Sequence, residues 1–391
     1  MAARWALVGA LLLPLCSTLT TQCPYSRPYP RYRIDLSRIT EEKPQNLPFL
    51  ADWQRQRDRE AVQRQYGSSL TWSDSQTGVD TMADLWKGAA GALEGESVQW
   101  LAFSKAKPRW VQQWIDVFLW LQTHLPDDPA SDLTISYNID HNLPVLEFSR
   151  TKATPITQPR EWPDHATIAQ RTKAWVQRVL VEQGICPFTK STRVSGQGLA
   201  ELGVPVGKIA YHTSYATSLL PLLADMWQAM ADMIAAGPSG SNGVSSILLA
   251  APEYDDQLDL WSGPIFTILE TCVVVAQAEA ALGVVCFHPR YATPDGSTWP
   301  GFGHMHSVPR LQTWLREDDP ECPFSLDEIA AGGAWQRRTP HATLNVLRAD
   351  QLAAAEGKRT SGRLYNDNIR KLVHGIGLEQ LELDLERERN M

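Results

Sequence analysis

Hydrophobic and polar residues alternate along this chain in patterns that predict two regions. In the first region, residues 45–150, alternation over 133–139 and over 143–148 predicts two strands, and Asp140-His141-Asn142 between them predicts a hairpin turn. Aromatic and aliphatic residues at helical spacing predict a helix over 108–124. The remaining elements expected here are a charged helix over 51–65 and a strand over 98–103. These elements predict a small α+β unit.

The second region, residues 164–377, alternates predicted helices with predicted strands. Asp164 is a suitable N-cap for a helix that Gly184 ends. Further helices are predicted over 218–235, 264–282 and 366–374, and strands over 245–250, 284–287 and 342–347. An irregular insertion covers 292–336, and a charged helix is expected over 378–391. This order predicts an α+β or α/β domain, specifically a ferredoxin-like sandwich.

A proline-rich segment at 151–163 is expected to link the two regions. The distribution of tryptophan supports a boundary there. Of the 15 Trp, seven lie in residues 45–150, whereas the larger second region holds six. We therefore expect a Trp-rich accessory unit, with Trp110 and Trp114 on one helix face in its core, before a domain that carries any chemistry.

The N-terminal segment has the composition of a targeting sequence. Arg4, an apolar run over 6–15 and small residues at 16–18 predict a secretory signal over residues 1–20. Residues 21–44 carry no carboxylate before Asp35, which is typical of a transit segment; a disordered, Pro/Tyr-rich start of a secreted protein is the alternative. The first interpretation places the protein in a plastid through a two-part presequence, and we prefer it to secretion.

Composition and charge narrow the classes of protein. Hydrophobic residues make up 43% and charged residues 20%, which is typical of a globular protein. With 36 basic against 44 acidic residues, a nucleic-acid partner is not expected. After the leader no apolar run reaches the ~20 residues that span a bilayer, so we expect no membrane association of the mature form. Six Cys are too few for a disulfide scaffold, and the oligomeric state stays open.

Two positions are candidates for catalytic side chains. Cys186 follows the predicted end of a helix and precedes Lys190 and Arg193, and nearby cations can lower the pKa of a thiol and make it nucleophilic. A buried, inert thiol is the alternative. His288 follows a predicted strand, where a general base or an anion contact is often placed. A histidine that anchors its loop is the alternative.

Other chemical motifs are weak or missing. His304 and His306 have a spacing that can chelate a metal, but no third ligand lies nearby in sequence, so we expect no metal site. The sequence contains no glycine-rich phosphate loop, no G-x-S-x-G, no H-E-x-x-H and no C-x-x-C. No cofactor is therefore expected. Arg337, Arg338 and His341 precede the last predicted strand, and arginine is the natural partner of a carboxylate or phosphate.

Five segments in order resemble a mostly bacterial family known as domain of unknown function 1415. The segments are 175–193 with its Cys-Pro-Phe, 247–260 with its acidic turn, 287–291 with Phe-His-Pro-x-Tyr, 338–348, and Asn368-Ile369. The resemblance covers about residues 165–377. The family has no established activity, and the usual histidine of the last strand is Asn345 in this chain.

We expect five polar residues to converge at one end of the sheet: Cys186, Arg193, His288, Arg338 and Asn368. The first hypothesis is an enzyme that acts on a small anionic metabolite. Cys186 would be the nucleophile or redox thiol and His288 the general acid/base, while Arg193, Arg338 and Asn368 would hold the anion. The second hypothesis is a non-catalytic ligand-binding or assembly protein of the plastid or secretory pathway. The third is a packed core with an inert thiol.

Overall fold

Short apolar strands form two separate sheets. The computed structural model describes residues 48–95, 98–152, 160–186, 189–238, 242–297, 306–355 and 360–391. The predicted signal and transit segments therefore lie outside the described residues. Residues up to Arg57 group apart from Asp58–Met391, which form one compact unit. The first unit contributes the start of helix α1 (Pro48–Tyr66).

The first sheet has four strands in the order β1-β2-β4-β3. Strand β1 pairs parallel to β2, whereas β2–β4 and β4–β3 are antiparallel. In chain order its elements are β1 (Leu70–Ser73), α2 (Gly78–Glu94), β2 (Gln99–Phe103), α3 (Pro108–His124), β3 (Leu133–Asp140) and β4 (Leu143–Arg150). His141 and Asn142 turn the β3–β4 hairpin with positive φ values of 48° and 65°, as a tight type I′ hairpin turn requires.

The second sheet has five strands in the order β5-β6-β7-β9-β8. Strand β6 pairs parallel to β7, and β7–β9 and β9–β8 are antiparallel. The elements that build it are β5 (Val194–Ser195), β6 (Gly207–Thr213), α5 (Leu219–Ala236), β7 (Val244–Ala250), α6 (Leu258–Val275), β8 (Leu282–Phe287) and β9 (Thr343–Arg348). Thr213 pairs with Ala250, Ala250 with Thr343, and Thr343 with Phe287, so these four ends form one edge.

Further helices cover the second sheet and fill the segment between β8 and β9. Helix α4 (His165–Trp175) continues into a π-helical stretch (Val176–Glu182). The others are α7 (Val308–Asp318), α8 (Leu326–Trp335), α9 (Ala349–Ala355), α10 (Thr360–Ile369) with its π-helical continuation (Arg370–Ile376), and α11 (Leu378–Arg389). Helices α7, α8 and α10 share a small apolar core that includes Leu315 and Ile369.

The main core lies between the two sheets, and the helices of both regions fill it. Strand residues alternate between faces: Ile247 and Leu249 join this main core, whereas Leu248 joins the core beneath α4 and α11. Trp86 of α2 and Trp227 of α5 are both fully buried in the main core. The described layers are therefore the end of α1, the first sheet, α2 with α3, α5 with α6, the second sheet, and α4 with α11.

The predicted α+β class is confirmed, since helices cover two mixed sheets. Strands β7, β9 and β8 form a split βαβ unit of the kind found in ferredoxin-like sandwiches, while the parallel neighbour β6 is a feature that the prediction did not contain. The helix over 108–124 is confirmed with those bounds, and so is the 133–150 hairpin. Strands β1 and β6 and helix α2 were not predicted from the sequence.

The helix predicted to start at Pro264 was placed wrongly. It begins at Leu258, and Pro264 lies inside a π-helical stretch (Trp261–Ile265). Proline has no backbone N–H to donate, and the wider π-helical turn leaves room for its ring. It ends at Val275, and Leu282 begins the next strand. Leu258–Val275 has the length and apolar composition of a membrane span, but 61% of that window is buried inside the protein. Packing of that kind is typical of a core helix.

Candidate functional site

Cys186 lies in the segment that follows α4, half-buried at the border of two apolar clusters. Its Sγ is 3.7 Å from the Thr189 hydroxyl oxygen. Next to it, the Ile185 carbonyl accepts a hydrogen bond of 3.2 Å from the Asn368 side-chain amide. The structure thus brings Asn368, one of the five residues expected to converge, to the Cys186 segment. The roles assigned to the two residues stay predictions.

His288 is fully buried directly after β8. Its Nδ1 accepts from the Arg290 backbone N–H at 3.0 Å, so Nε2 carries the proton and donates to the Tyr254 carbonyl, also at 3.0 Å. Burial lowers the pKa of His288, and the nearby Arg290 acts in the same direction. Both ring nitrogens bond to the loop backbone, as expected for a histidine that anchors its loop. The general acid/base role of His288 remains a prediction.

The three other predicted residues lie in different surroundings. Arg193 is exposed beside β5. Arg338 donates to the Tyr291 carbonyl at 3.2 Å and to Glu382 at 3.3 Å, and burial lowers its pKa. Asn368 also donates to the Gln336 side chain at 2.8 Å. Asn368 thus contacts the Cys186 segment, whereas His288 bonds to the Tyr254 and Arg290 backbones in a separate network.

A different group of polar side chains converges at the edge formed by the carboxyl ends of β6, β7 and β8. Asp255 follows β7, and His341 precedes β9; both are almost completely buried, with 2% and 1% exposure. One Asp255 oxygen accepts from His341 Nδ1 at 2.8 Å, and the other accepts from the Ala342 backbone N–H at 2.7 Å. Because the carboxylate only accepts, it places the ring proton on Nδ1 and leaves Nε2 with its lone pair.

Two arginines from distant parts of the chain complete what we call the Asp255–His341 cluster: Asp255, His341, Arg171 and Arg389. Arg171 on α4 places Nη1 3.3 Å from His341 Nε2. Arg389, the last residue of α11, lies 3.6 Å from Asp255 and is 41% exposed. Burial lowers the pKa of Arg171, and the charge of Arg389 adds to this. The cluster holds two cations against one carboxylate.

A segment from before α4 lies against the cluster. The Glu253 carboxylate accepts from the Trp162 indole N–H at 2.9 Å and from the Arg160 backbone N–H at 2.7 Å. This places the Trp162 ring edge-on to His341, with centroids 5.9 Å apart. Asp256 binds the side chains of both Arg160 and Arg290, and the hydrogen bond from Arg160 is the main reason why its pKa is lowered.

The cluster has the parts of an acid–base site with an anion contact. A buried Asp that holds one histidine tautomer is how proton-transferring sites orient the ring. Arg171 Nε is buried and lacks a hydrogen-bond partner within the described ranges. An unused guanidinium donor beside an excess of positive charge suits a carboxylate or phosphate.

No group of three or more His, Cys, Asp or Glu among the described residues could hold a metal ion, and His304 lies outside them.

Sequence reasoning named His341 only as a residue before the last strand and did not single out Asp255, Arg171 or Arg389. One signal was available: Asp255-Asp256 follows a buried strand, and such strand ends gather functional groups. Arg171 and Arg389 gave no such signal, because each lies in an ordinary amphipathic helix and tertiary packing alone brings it here.

Residues 167–298 match the model of a family described as "Protein of unknown function (DUF1415)". The match confirms the resemblance drawn from the sequence motifs for this part of the chain. It includes Arg171, Asp255 and His288 and ends before His341. No curated protein and no solved structure matches the chain.

Proposed function

We propose that this protein is an enzyme that transfers a proton to or from a small anionic metabolite at the Asp255–His341 cluster. The observation that carries the proposal is the buried Asp255–His341 pair whose second ring nitrogen faces a guanidinium. The proposal keeps the substrate class expected from the sequence and moves the reacting group from Cys186 and His288 to His341.

Each residue of the cluster has a defined task. An anionic group of the substrate takes the donors of Arg171, and Arg389 adds charge on the solvent side. His341 Nε2 accepts the proton that the substrate loses. The resulting imidazolium is stabilised by the Asp255 carboxylate, which keeps its own hydrogen bond from Ala342, and the proton returns to the product.

Metabolite capture followed by mass spectrometry tests this proposal. We expect the wild-type protein to retain a small carboxylate or phosphate compound from an extract. Arg171→Gln should bind it roughly ten- to hundred-fold more weakly, which is the value of a hydrogen bond to a charged group. Arg363→Gln is the matched control, because it removes the same charge from a side chain that is 78% exposed. Equal retention by both variants would contradict the anion site.

His341→Gln separates an enzyme from a binding protein. In the proposed enzyme this variant still binds the captured compound, but its conversion by the wild type falls by 10²-fold or more, the range of general acid–base catalysis. Binding without conversion by the wild-type protein would support the non-catalytic alternative. The thiol hypothesis has its own test: alkylation of Cys186 against pH, where a pKa at or above ~8.5 excludes a nucleophilic thiolate.

We also propose that residues 1–44 direct the chain into the secretory pathway and on to a plastid. The support is the apolar run over 6–15 followed by a stretch with no carboxylate before Asp35. A fluorescent protein fused behind residues 1–44 should accumulate in plastids of an alga with complex plastids. Secretion of the fusion would favour the alternative, and a cytosolic signal would contradict both.

A further inference from the structure

The two sheets share one order of elements and one pattern of strand directions. The first runs β1-α2-β2-α3-β3-β4 with spatial order β1-β2-β4-β3, and the second runs β6-α5-β7-α6-β8-β9 with spatial order β6-β7-β9-β8. In both, the first two strands are parallel and the other two pairs are antiparallel. Six elements thus repeat in sequence, in neighbours and in direction.

The sequences of the first helices align without a gap at a spacing of 141 residues. Ala83-Asp84-Leu85-Trp86 in α2 corresponds to Ala224-Asp225-Met226-Trp227 in α5. Most buried positions of α2 are also buried 141 residues later. The buried pairs are Gly78/Leu219, Val79/Leu220, Thr81/Leu222, Met82/Leu223, Leu85/Met226, Trp86/Trp227, Ala89/Met230, Ala90/Ala231 and Ala92/Met233.

The second helices align in the same way at a spacing of 151 residues. Trp110 near the start of α3 corresponds to Trp261 near the start of α6, and both are buried. The other matching buried pairs are Trp114/Ile265, Ile115/Phe266, Val117/Ile268, Phe118/Leu269 and Leu121/Cys272.

A polar contact in front of the first helix is also duplicated. The Ser73 hydroxyl donates to Asp84 at 2.5 Å, and the Ser214 hydroxyl donates to Asp225 at 2.5 Å. Each hydroxyl also accepts at 3.3 Å from the backbone N–H two residues further along the chain. In both regions the contact fixes the strand end to the second turn of the helix.

The two regions pack against each other reciprocally. Gly78, at the start of α2, lies directly against the Ala276 backbone just beyond α6. Its counterpart Leu219, at the start of α5, donates its backbone N–H to Asp128 just beyond α3, at 3.4 Å. In each case the start of one region's first helix meets the segment after the other region's second helix, and such an exchange of partners is the mark of an interface with two-fold symmetry.

We infer that residues 70–150 and residues 207–348 are two copies of one unit, which we call the first copy and the second copy. The helix face of α5 and α6 is then a self-pairing surface of the kind that joins two identical subunits. In this chain its partner is the first copy. The pair needs no second chain, and the chain is expected to be a monomer with one Asp255–His341 cluster.

Designed disulfides test the two-fold relation. Arg109 at the start of α3 contacts Gln277 just beyond α6. At the spacing of 151 residues, the equivalent of Arg109 in the second copy is Leu260, and the equivalent of Gln277 in the first copy is Pro126. The two-fold symmetry predicts that Leu260 and Pro126 also lie side by side. We expect Arg109→Cys/Gln277→Cys and Pro126→Cys/Leu260→Cys both to link within one chain on mild oxidation, as shown by peptide mass mapping. These positions are exposed or half-buried, so the variants should fold.

The control is Arg109→Cys/Leu260→Cys, which joins the starts of two antiparallel helices. A helix of 17 residues is about 25 Å long, so this pair should stay unlinked. Failure of the Pro126/Leu260 pair to link would overturn the two-fold relation. Light scattering of the full chain should give a mass near 43.7 kDa, and a dimer would overturn the inference that the chain supplies its own partner.

Discussion

The first copy and the second copy share a framework and differ at the sheet edge that carries the Asp255–His341 cluster in the second copy. In the first copy, two residues in a hairpin turn connect β3 to β4. In the second, residues 288–342 connect β8 to β9 and bring His341 to the end of β7. The shared part is the packed helix face. The comparison teaches that this framework stabilises both copies, while the long connection brings His341 to Asp255 in one of them.

The outer faces of the sheets differ in a related way. The end of α1 covers the first sheet with an apolar contact that includes Val62. The second sheet is covered by α4 and α11, and each of these helices delivers one arginine to the cluster, Arg171 and Arg389. The Asp255–His341 cluster therefore draws on two helices that lie outside both copies in sequence.

Truncating the equivalent tryptophans should have the largest effect. Trp86→Ala and Trp227→Ala each remove a fully buried indole from the shared core, and we expect each to cost ~3–5 kcal/mol of unfolding free energy. Urea denaturation measures it. Trp53→Ala is the control, because that side chain is 53% exposed. If Trp86→Ala alone lowered the unfolding free energy only slightly, the first copy would not contribute to the shared core as the second copy does.

The next effect concerns a contact between the π-helical continuation of α4 and helix α11, which cover the second sheet. Arg178 donates two hydrogen bonds to Glu388, at 2.7 and 2.8 Å, and so fixes α11 beneath the second sheet. Glu388→Ala leaves a largely buried guanidinium without its partner, which should cost about 3 kcal/mol. Anion binding should weaken as well, since Arg389 is the next residue. Glu386→Ala, two residues earlier and exposed, should change neither the urea midpoint nor binding.

A smaller effect tests the duplicated serine contacts. Burial raises the pKa of Asp84 and of Asp225, and the serine hydroxyl opposes this in each case. Ser73→Ala removes a bond to a half-buried carboxylate and should cost roughly 1.5–3 kcal/mol at pH 7. Ser214→Ala should cost less, because Asp225 lies nearer to solvent.

The sign of the pH dependence follows from those raised pKa values. The folded state favours the protonated carboxyl, so its stability falls as pH rises from the unfolded value of 3.8 through the raised folded value. The loss caused by either Ser→Ala change should therefore be larger at pH 7 than at pH 3.5. Ser68→Ala, at an exposed serine, is the control. Losses that do not depend on pH would argue against the hydroxyl–carboxylate contact.

The smallest expected effect belongs to His288. Its folded pKa is lowered, so the unfolded chain binds a proton more readily, and stability is lost as pH falls below 6.5 through the folded value. His288→Gln should flatten the slope of the melting temperature against pH in this range. His141→Gln, at the exposed turn of the first copy, should keep the wild-type slope. An unchanged slope in His288→Gln would mean that the histidine does not titrate with folding.

The sequence predicted the elements with strong periodicity and missed those with weak signals. The 108–124 helix shows aromatic residues at regular intervals, and the 133–150 hairpin alternates clearly. Helix α2 has Gly or Ala at five of its eleven buried positions, which weakens its apolar pattern, and β1 has only four residues. Without α2 and β6 in the prediction, the two copies could not be recognised, although the repeated Ala-Asp-x-Trp was visible.

The candidate site was predictable only in part. Asn368 was among the residues expected at the Cys186 end of the sheet, and from within α10 its side-chain amide donates to the Ile185 carbonyl next to Cys186. The two arginines of the Asp255–His341 cluster are 218 positions apart, and no local pattern reports a contact across such a distance. His288 looked reactive because it ends a strand, but the same position lets its ring bridge two loop backbones.

Trp162 provides an optical readout of the site. Its indole N–H is held by Glu253 while its ring lies edge-on to His341. Fluorescence from this side chain should respond to a change of charge on the neighbouring imidazole. The difference in emission between the wild-type protein and Trp162→Phe would isolate its signal from that of the other tryptophans. A ligand could thus be followed in a cuvette before its identity is known.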